Sequence, residues 1–155
     1  MGSYVATIVW KNDGDFASGK YSRAHEVSFD APLTILASSS PHVVKAPYSR
    51  ADAVDPEEML VASLSSCHML SFLYVAWKAG FAVDSYVDRA EGVMTKNEAG
   101  KMWMSRTTLN PQIVFSGGKQ PSPEELRELH HRAHEECFIA NSYRGDIAIA
   151  GGEAH

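Results

Sequence analysis

Cysteine is scarce in these 155 residues: there are two, Cys67 and Cys137. Two are too few for the disulfide framework of a small secreted domain, and in a reducing compartment a cysteine pair points to catalysis or redox chemistry. Basic runs are also missing. The formal net charge is -5 and the isoelectric point about 5.8, so nothing follows a phosphate backbone and nucleic acid is not expected as a partner. The opening "MGSYVATIVWKNDGD" has neither a basic start nor a continuous apolar stretch. No secretory signal is therefore expected, and cytoplasmic residence is the expectation. Internal repeats and low-complexity segments are absent too, and the length suits one domain over residues 1–155.

One absence raises a question of its own. Between Glu58 and Lys78 no residue carries a formal charge. The run "MLVASLSSCHMLSFLYVAW" has nearly the length of a bilayer span. It also holds His68 and four serines, and the surrounding chain alternates like strands and polar turns. A helix buried on all sides is the better expectation, with no membrane partner. A chain of this size can rarely surround such a helix alone, which points to a dimer.

The elements themselves are marked by patterning. "YVATIVWK" (4–11) reads as a strand. Residues 20–29 alternate so that Tyr21, Arg23, His25, Val27 and Phe29 share one face. "LTILAS" makes a third strand, and the Ser-, Pro- and Ala-rich residues 38–54 a loop. Asp55, Pro56 and Glu58 form a helix start with a capping box, and Gly80 suits its end. A long hairpin is expected over 82–96 and 101–116, turning at "NEAG". Ser122, Pro123 and Glu125 open a second helix that carries Cys137 near its end. "YRGDIAIAGG" suggests a short last strand.

Cys67 lies in the middle of the first helix, where a small buried core residue is the plain reading. A reactive thiolate there needs help from amides, an arginine or a protonated histidine. Ser63, Ser65 and Ser66 can bond back to helix carbonyls and bend the helix just before Cys67. Arg23, on an apolar strand face, would need an anion if buried, and Glu57 is a candidate partner. Along a straight helix Glu57 and Cys67 lie about 15 Å apart, so an arginine would have to bridge them. His68 cannot serve Cys67 by adjacency, since helix neighbours point about 100° apart. His130, His134 and Cys137 share a helix face at spacings that could hold zinc or copper, but without a paired cysteine motif an ordinary polar helix face is the plainer reading.

Taken together, "DPEEMLVASLSSCHMLSFL", "AHEECFIANS", "YSRAHEVSFD" and "VDSYVDRAEGVM" resemble the OsmC/Ohr superfamily of peroxide-reducing thiol proteins, in order and over nearly the whole chain. The resemblance implies a peroxidatic Cys67, a resolving Cys137, and a site completed by Arg23 and Glu57. In the hydroperoxide-resistance branch the arginine sits in a glycine-rich loop, whereas Arg23 here falls in a strand-like segment. Arg50 and Arg144 are the next candidates. The resemblance also implies an α+β fold: an intertwined homodimer with curved antiparallel sheets wrapping long central helices. Cys67 would become a sulfenic acid, Cys137 would convert it to a disulfide, and an external dithiol, lipoyl-type or thioredoxin-like, would reduce that. No metal, haem or other cofactor is required. Met69, Leu70 and Phe72 would favour organic hydroperoxides. The competing readings are a non-catalytic dimeric binding protein of the same fold and a Cys/His metal protein.

Overall fold

Asp55 and Glu58 start the long helix as the sequence prescribes. In the computed structural model, which describes residues 2–150, Glu58 N donates to Asp55 Oδ1 at 2.7 Å and Asp55 N donates to Glu58 Oε2 at 3.1 Å. Two orphan amides of the first turn are thereby satisfied. The helix, α1, runs from Pro56 to Lys78 without interruption. Gly80 ends it with φ +78°, a conformation that costs glycine little. The expected bend before Cys67 does not break the helix. Ser63 Oγ does bond back to Leu60 O at 2.8 Å, but Ser65 Oγ turns outward to Asp88 Oδ2.

The chain forms two compact units, one up to Met59 and one from Leu60, so the boundary falls in the first turn of α1. In the N-terminal unit β1 (Ala6–Val9), β2 (His25–Phe29) and β3 (Thr34–Ala37) make an antiparallel sheet in that order. β2 is half the length that alternation suggested. Residues 21–24 are irregular, because Asp13 Oδ1 accepts from Ser22 N and Tyr48 O accepts from Arg23 N, leaving neither amide for a ladder. Residues 38–54 are a loop, as expected, apart from one bridge between Val54 and Ala37.

In the second unit the hairpin is present but divided. β4 (Ala82–Asp88) pairs with β7 (Pro111–Ser116), and β5 (Glu91–Lys96) with β6 (Met102–Leu109). Asp88 lies opposite Pro111 and Glu91 opposite Thr108, so the register carries straight across the gap. The division is local chemistry. Pro111 has no amide to give, and Asp88 Oδ1 takes the Asn110 N–H. β8 (Asp146–Ile149) adds parallel to β6; residues 151–152 of the expected last strand lie outside the described residues. Helix α2 (Pro123–Glu136) carries its full capping box from Ser122 and Glu125, and Cys137 is its C-cap.

The core of this unit has two parts. Phe72, Val75 and Ala76 of α1 meet Phe81 and Leu129 and Ala133 of α2. Leu64 packs with Leu109, Cys137, Ile147 and Ile149. The buried positions of α1, at 64, 68, 72, 75 and 76, define one face. The helix is thus not buried all round within one chain. Leu60, Leu70, Tyr74 and Trp77 are exposed, and with Ser63 and Cys67 they step by three and four residues along the opposite side. By length and composition alone α1 could cross a membrane, but its inner face is occupied by packing against protein.

Candidate active site

The two cysteines, 70 positions apart in sequence, meet. Cys67 comes from the middle of α1 and is half-buried; Cys137 caps α2 and has no exposed surface. Cys67 packs against the cluster that contains Cys137, together with Ile139, Ala140 and Tyr143. Both thiols are free, and Cys67 lies close enough to act on the Cys137 thiol. The turn after α2 folds its amides onto the sulfurs: Ile139 N donates to Cys67 Sγ at 3.5 Å, and Ala140 N donates to Cys137 Sγ at 3.4 Å.

These contacts treat the two thiols differently. Burial, then the hydrogen bond and charge of Cys67, push the Cys137 thiol up to about 11 against the pull of the Ala140 and Ile139 amides. Cys137 therefore keeps its proton at neutral pH and can donate it towards Cys67. The Cys67 sulfur accepts from the Ile139 amide and lies beside the protonated Cys137 thiol. The amide help for Cys67 comes across from α2's exit turn, not from a bend in α1.

Beside the cysteines the helices are tied a second time. His68, 1% exposed, places Nε2 3.1 Å from His130 Nδ1, with the rings nearly parallel and 5.4 Å apart. Phe72 lies 4.5 Å from the His130 ring. Burial lowers His68 to about 3, helped by the nearness of His130 and His134. His130 falls to about 4, again by burial, with Asp88 pulling partly back. Both rings are neutral at neutral pH and one shares its N–H with the other.

Arg23 and Glu57 do not form the expected ion pair. The Arg23 guanidinium lies 3.7 Å over the Tyr21 ring and donates to the carbonyls of Gly19, at 3.0 Å, and Tyr21. Tyr21 in turn stacks on Phe16 at 4.6 Å and meets Trp10 at 5.6 Å. Because residues 21–24 leave the strand, Arg23 belongs to a loop entered through Gly14 and Gly19, not to a strand face. Glu57 Oε2 is buried with no hydrogen-bond partner among the described residues. Arg50 is forked onto Asp52 at the surface, and Arg144 is exposed. Phe72 is a fully buried core residue beside His130, so it does not line the open side of Cys67 as expected; Leu70 is exposed along the Cys67 stripe.

A metal site across His130, His134 and Cys137 is not formed. Among the described residues no three His, Cys, Asp or Glu side chains converge as a metal ion requires. His130 Nδ1 is already engaged by His68, and Cys137 faces Cys67. Sequence reasoning missed two parts of this region. The Ile139 amide has no sequence signature. The His68–His130 pair had one: Leu64, His68 and Phe72 recur every four residues, which puts His68 on the inner face.

Residues 49–150 match the model of the OsmC family of OsmC-like proteins. The chain belongs to the OsmC family. An OsmC-like protein of unknown function from Vibrio cholerae is 47% identical, with a TM-score of 0.92 over 96% of this chain and 98% of that one. The α+β fold, with its two helices and antiparallel sheets, is shared with more distant OsmC relatives. An organic hydroperoxide resistance protein from Elizabethkingia anophelis has a TM-score of 0.70 at 20% identity, over 96% and 93% of the two chains. One from Bacillus subtilis has a TM-score of 0.65 at 18% identity, over 96% and 95%. No curated protein matches the chain.

Proposed function

We propose that this OsmC-family protein is a thiol peroxidase that reduces organic hydroperoxides in preference to hydrogen peroxide through Cys67 and Cys137. The observation that carries the reading is the meeting of the two free cysteines, Cys67 packed against the cluster that holds Cys137, with the Ile139 amide on the Cys67 sulfur. Distant relatives of the same fold bear the name organic hydroperoxide resistance protein.

The Cys67 thiolate attacks the terminal oxygen of the hydroperoxide. The O–O bond breaks, the alkoxide leaves and takes a proton to become an alcohol, and sulfur is oxidised by two electrons to a sulfenic acid. Cys137 sulfur then attacks Cys67 sulfur. Its proton goes to the departing hydroxyl, which leaves as water, and a disulfide remains. An external dithiol of the lipoyl or thioredoxin type restores both thiols by exchange and becomes a disulfide itself. Arg23 and Glu57 enter as the resemblance implies: the guanidinium steadies the thiolate and polarises the peroxide, and the carboxylate orients it.

One equivalent of cumene hydroperoxide is expected to consume both thiols together and lower the intact mass by two hydrogens, with one bridge inside each chain. Arg23→Ala is expected to slow this oxidation without changing which thiols react. Thiols that persist after several equivalents would reject the peroxidase reading.

The protein is further proposed to work in the cytoplasm as a homodimer, because the stripe of Leu60, Leu70, Tyr74 and Trp77 leaves a continuous apolar surface open on α1. Sedimentation equilibrium should show a dimer down to micromolar concentration; a stable folded monomer there contradicts it.

A further inference from the structure

The Cys67–Cys137 pair is not the only polar link between α1 and α2. His68 follows Cys67 directly, and His130 lies two helical turns before Cys137. Their rings are hydrogen-bonded at 3.1 Å in a core otherwise made of Phe72, Leu129, Ala133 and their neighbours. Burying two imidazoles among apolar side chains is costly, and the cost is partly unmet, since His68 Nδ1 has no hydrogen-bond partner among the described residues. A leucine and a phenylalanine would fill such space without that penalty. The apolar contacts alone are non-directional, so they leave the rotation of α2 against α1 less sharply specified. A buried hydrogen bond does not.

We propose that His130, acting through His68, is a positioning residue for the thiol pair: its hydrogen bond fixes the rotation of α2 against α1 and so holds Cys137 at Cys67. The inference rests on the two-cysteine reading above. The mechanism is orientation. Two thiols held in contact have a higher effective concentration towards each other than two on helices free to rotate, and the disulfide is correspondingly harder to reduce. Two pins set the axis of α2, the His68–His130 bond midway along it and the Cys137–Ile139 turn at its end. The groups that face the pair, His134 on α2 and Asp88 on β4, act on its charge. Phe72 holds the His130 ring from the α1 side.

The test is the disulfide equilibrium of the full chain in glutathione redox buffer at pH 7, which involves no peroxide. Asparagine can place an amide atom where His130 Nδ1 lies, and glutamine can do so for His68 Nε2. His130→Leu is expected to weaken the Cys67–Cys137 disulfide about tenfold, a potential less negative by about 30 mV. His130→Asn and the double variant His68→Gln/His130→Asn are expected to stay within about twofold of the wild type. If His130→Leu fails to fold, the two amide variants are compared with His68→Leu instead. A wild-type potential in the leucine variant, or an equal shift in the leucine and asparagine variants, overturns the latch and leaves the peroxidase reading standing. Failure of diamide to form any Cys67–Cys137 disulfide in the wild type overturns both.

Discussion

Cys67→Ser is expected to lower peroxide turnover by at least about a thousandfold, because the step that breaks the O–O bond loses its nucleophile. Serine keeps the size of the side chain but has no accessible anion at neutral pH. Cys137→Ser should behave differently. Its Cys67 still reacts once, so a single stoichiometric burst of alcohol should appear. Turnover then stalls at a sulfenic acid that dimedone traps. Labelling gives the matching control on the reduced protein. With Cys137 at about 11, its thiolate is about one part in a thousand at pH 8, and the sulfur is buried besides. Iodoacetamide should therefore modify Cys67 first, and Cys137 only after unfolding. Equal turnover in the Cys67→Ser variant, or faster labelling of Cys137 than of Cys67, contradicts the assigned roles.

That asymmetry is what sequence could not supply. The cap residues Asp55, Glu58, Ser122 and Glu125 act on amides three residues away, so the starts of both helices were legible as local chemistry. The hairpin was legible from alternation and the "NEAG" turn; its division was not, because it depends on Asp88 reaching Asn110 across the ladder. Alternation misled at residues 20–24. There Asp13 and Tyr48 claim the amides that a strand would use, and the Trp10, Phe16 and Tyr21 rings gather Arg23 into a loop. An alternating pattern says which side chains could share a face, and nothing about rival acceptors for the backbone.

The site was legible in part for a related reason. Two lone cysteines and a charge-free helix can be read directly, and their meeting was implied by the family pattern. The burial that raises Cys137 and the amides that reach both sulfurs exist only after α2 and its exit turn have packed. The unmet Glu57 oxygen and the Arg23 stack are of the same kind. Each side chain has the chemistry expected of it, and what it touches is set by distant segments.

Acidification is expected to destabilise the fold steeply, and the His68–His130 pair should be a principal cause. In the unfolded chain both imidazoles take up protons near their ordinary value of 6.5. In the folded chain burial holds His68 down to about 3 and His130 to about 4. Between those values and 6.5 the unfolded state binds more protons than the folded one, so stability falls as pH falls through that window and is fully present above it. One proton taken up only on unfolding changes stability by about 1.4 kcal/mol per pH unit, or about 3 kcal/mol between pH 6.5 and 4. The second ring adds nearly a full share over the same range, because in the unfolded chain the two rings, 62 positions apart, take up their protons independently. A loss of this size is a large fraction of the roughly 5–15 kcal/mol that holds an ordinary domain together. Urea unfolding at pH 7, 5.5 and 4.5 measures it. The variant His68→Gln/His130→Asn can keep the hydrogen bond but cannot take up the protons, and the remaining titratable groups are common to both proteins. The difference between the two pH profiles therefore isolates the pair. The wild type should lose at least about 3 kcal/mol more than the variant across the window, whatever their relative stability at pH 7. Parallel profiles would mean that the two imidazoles are protonated in the fold at little cost, and that the buried neutral pair does not set the acid limit of the protein.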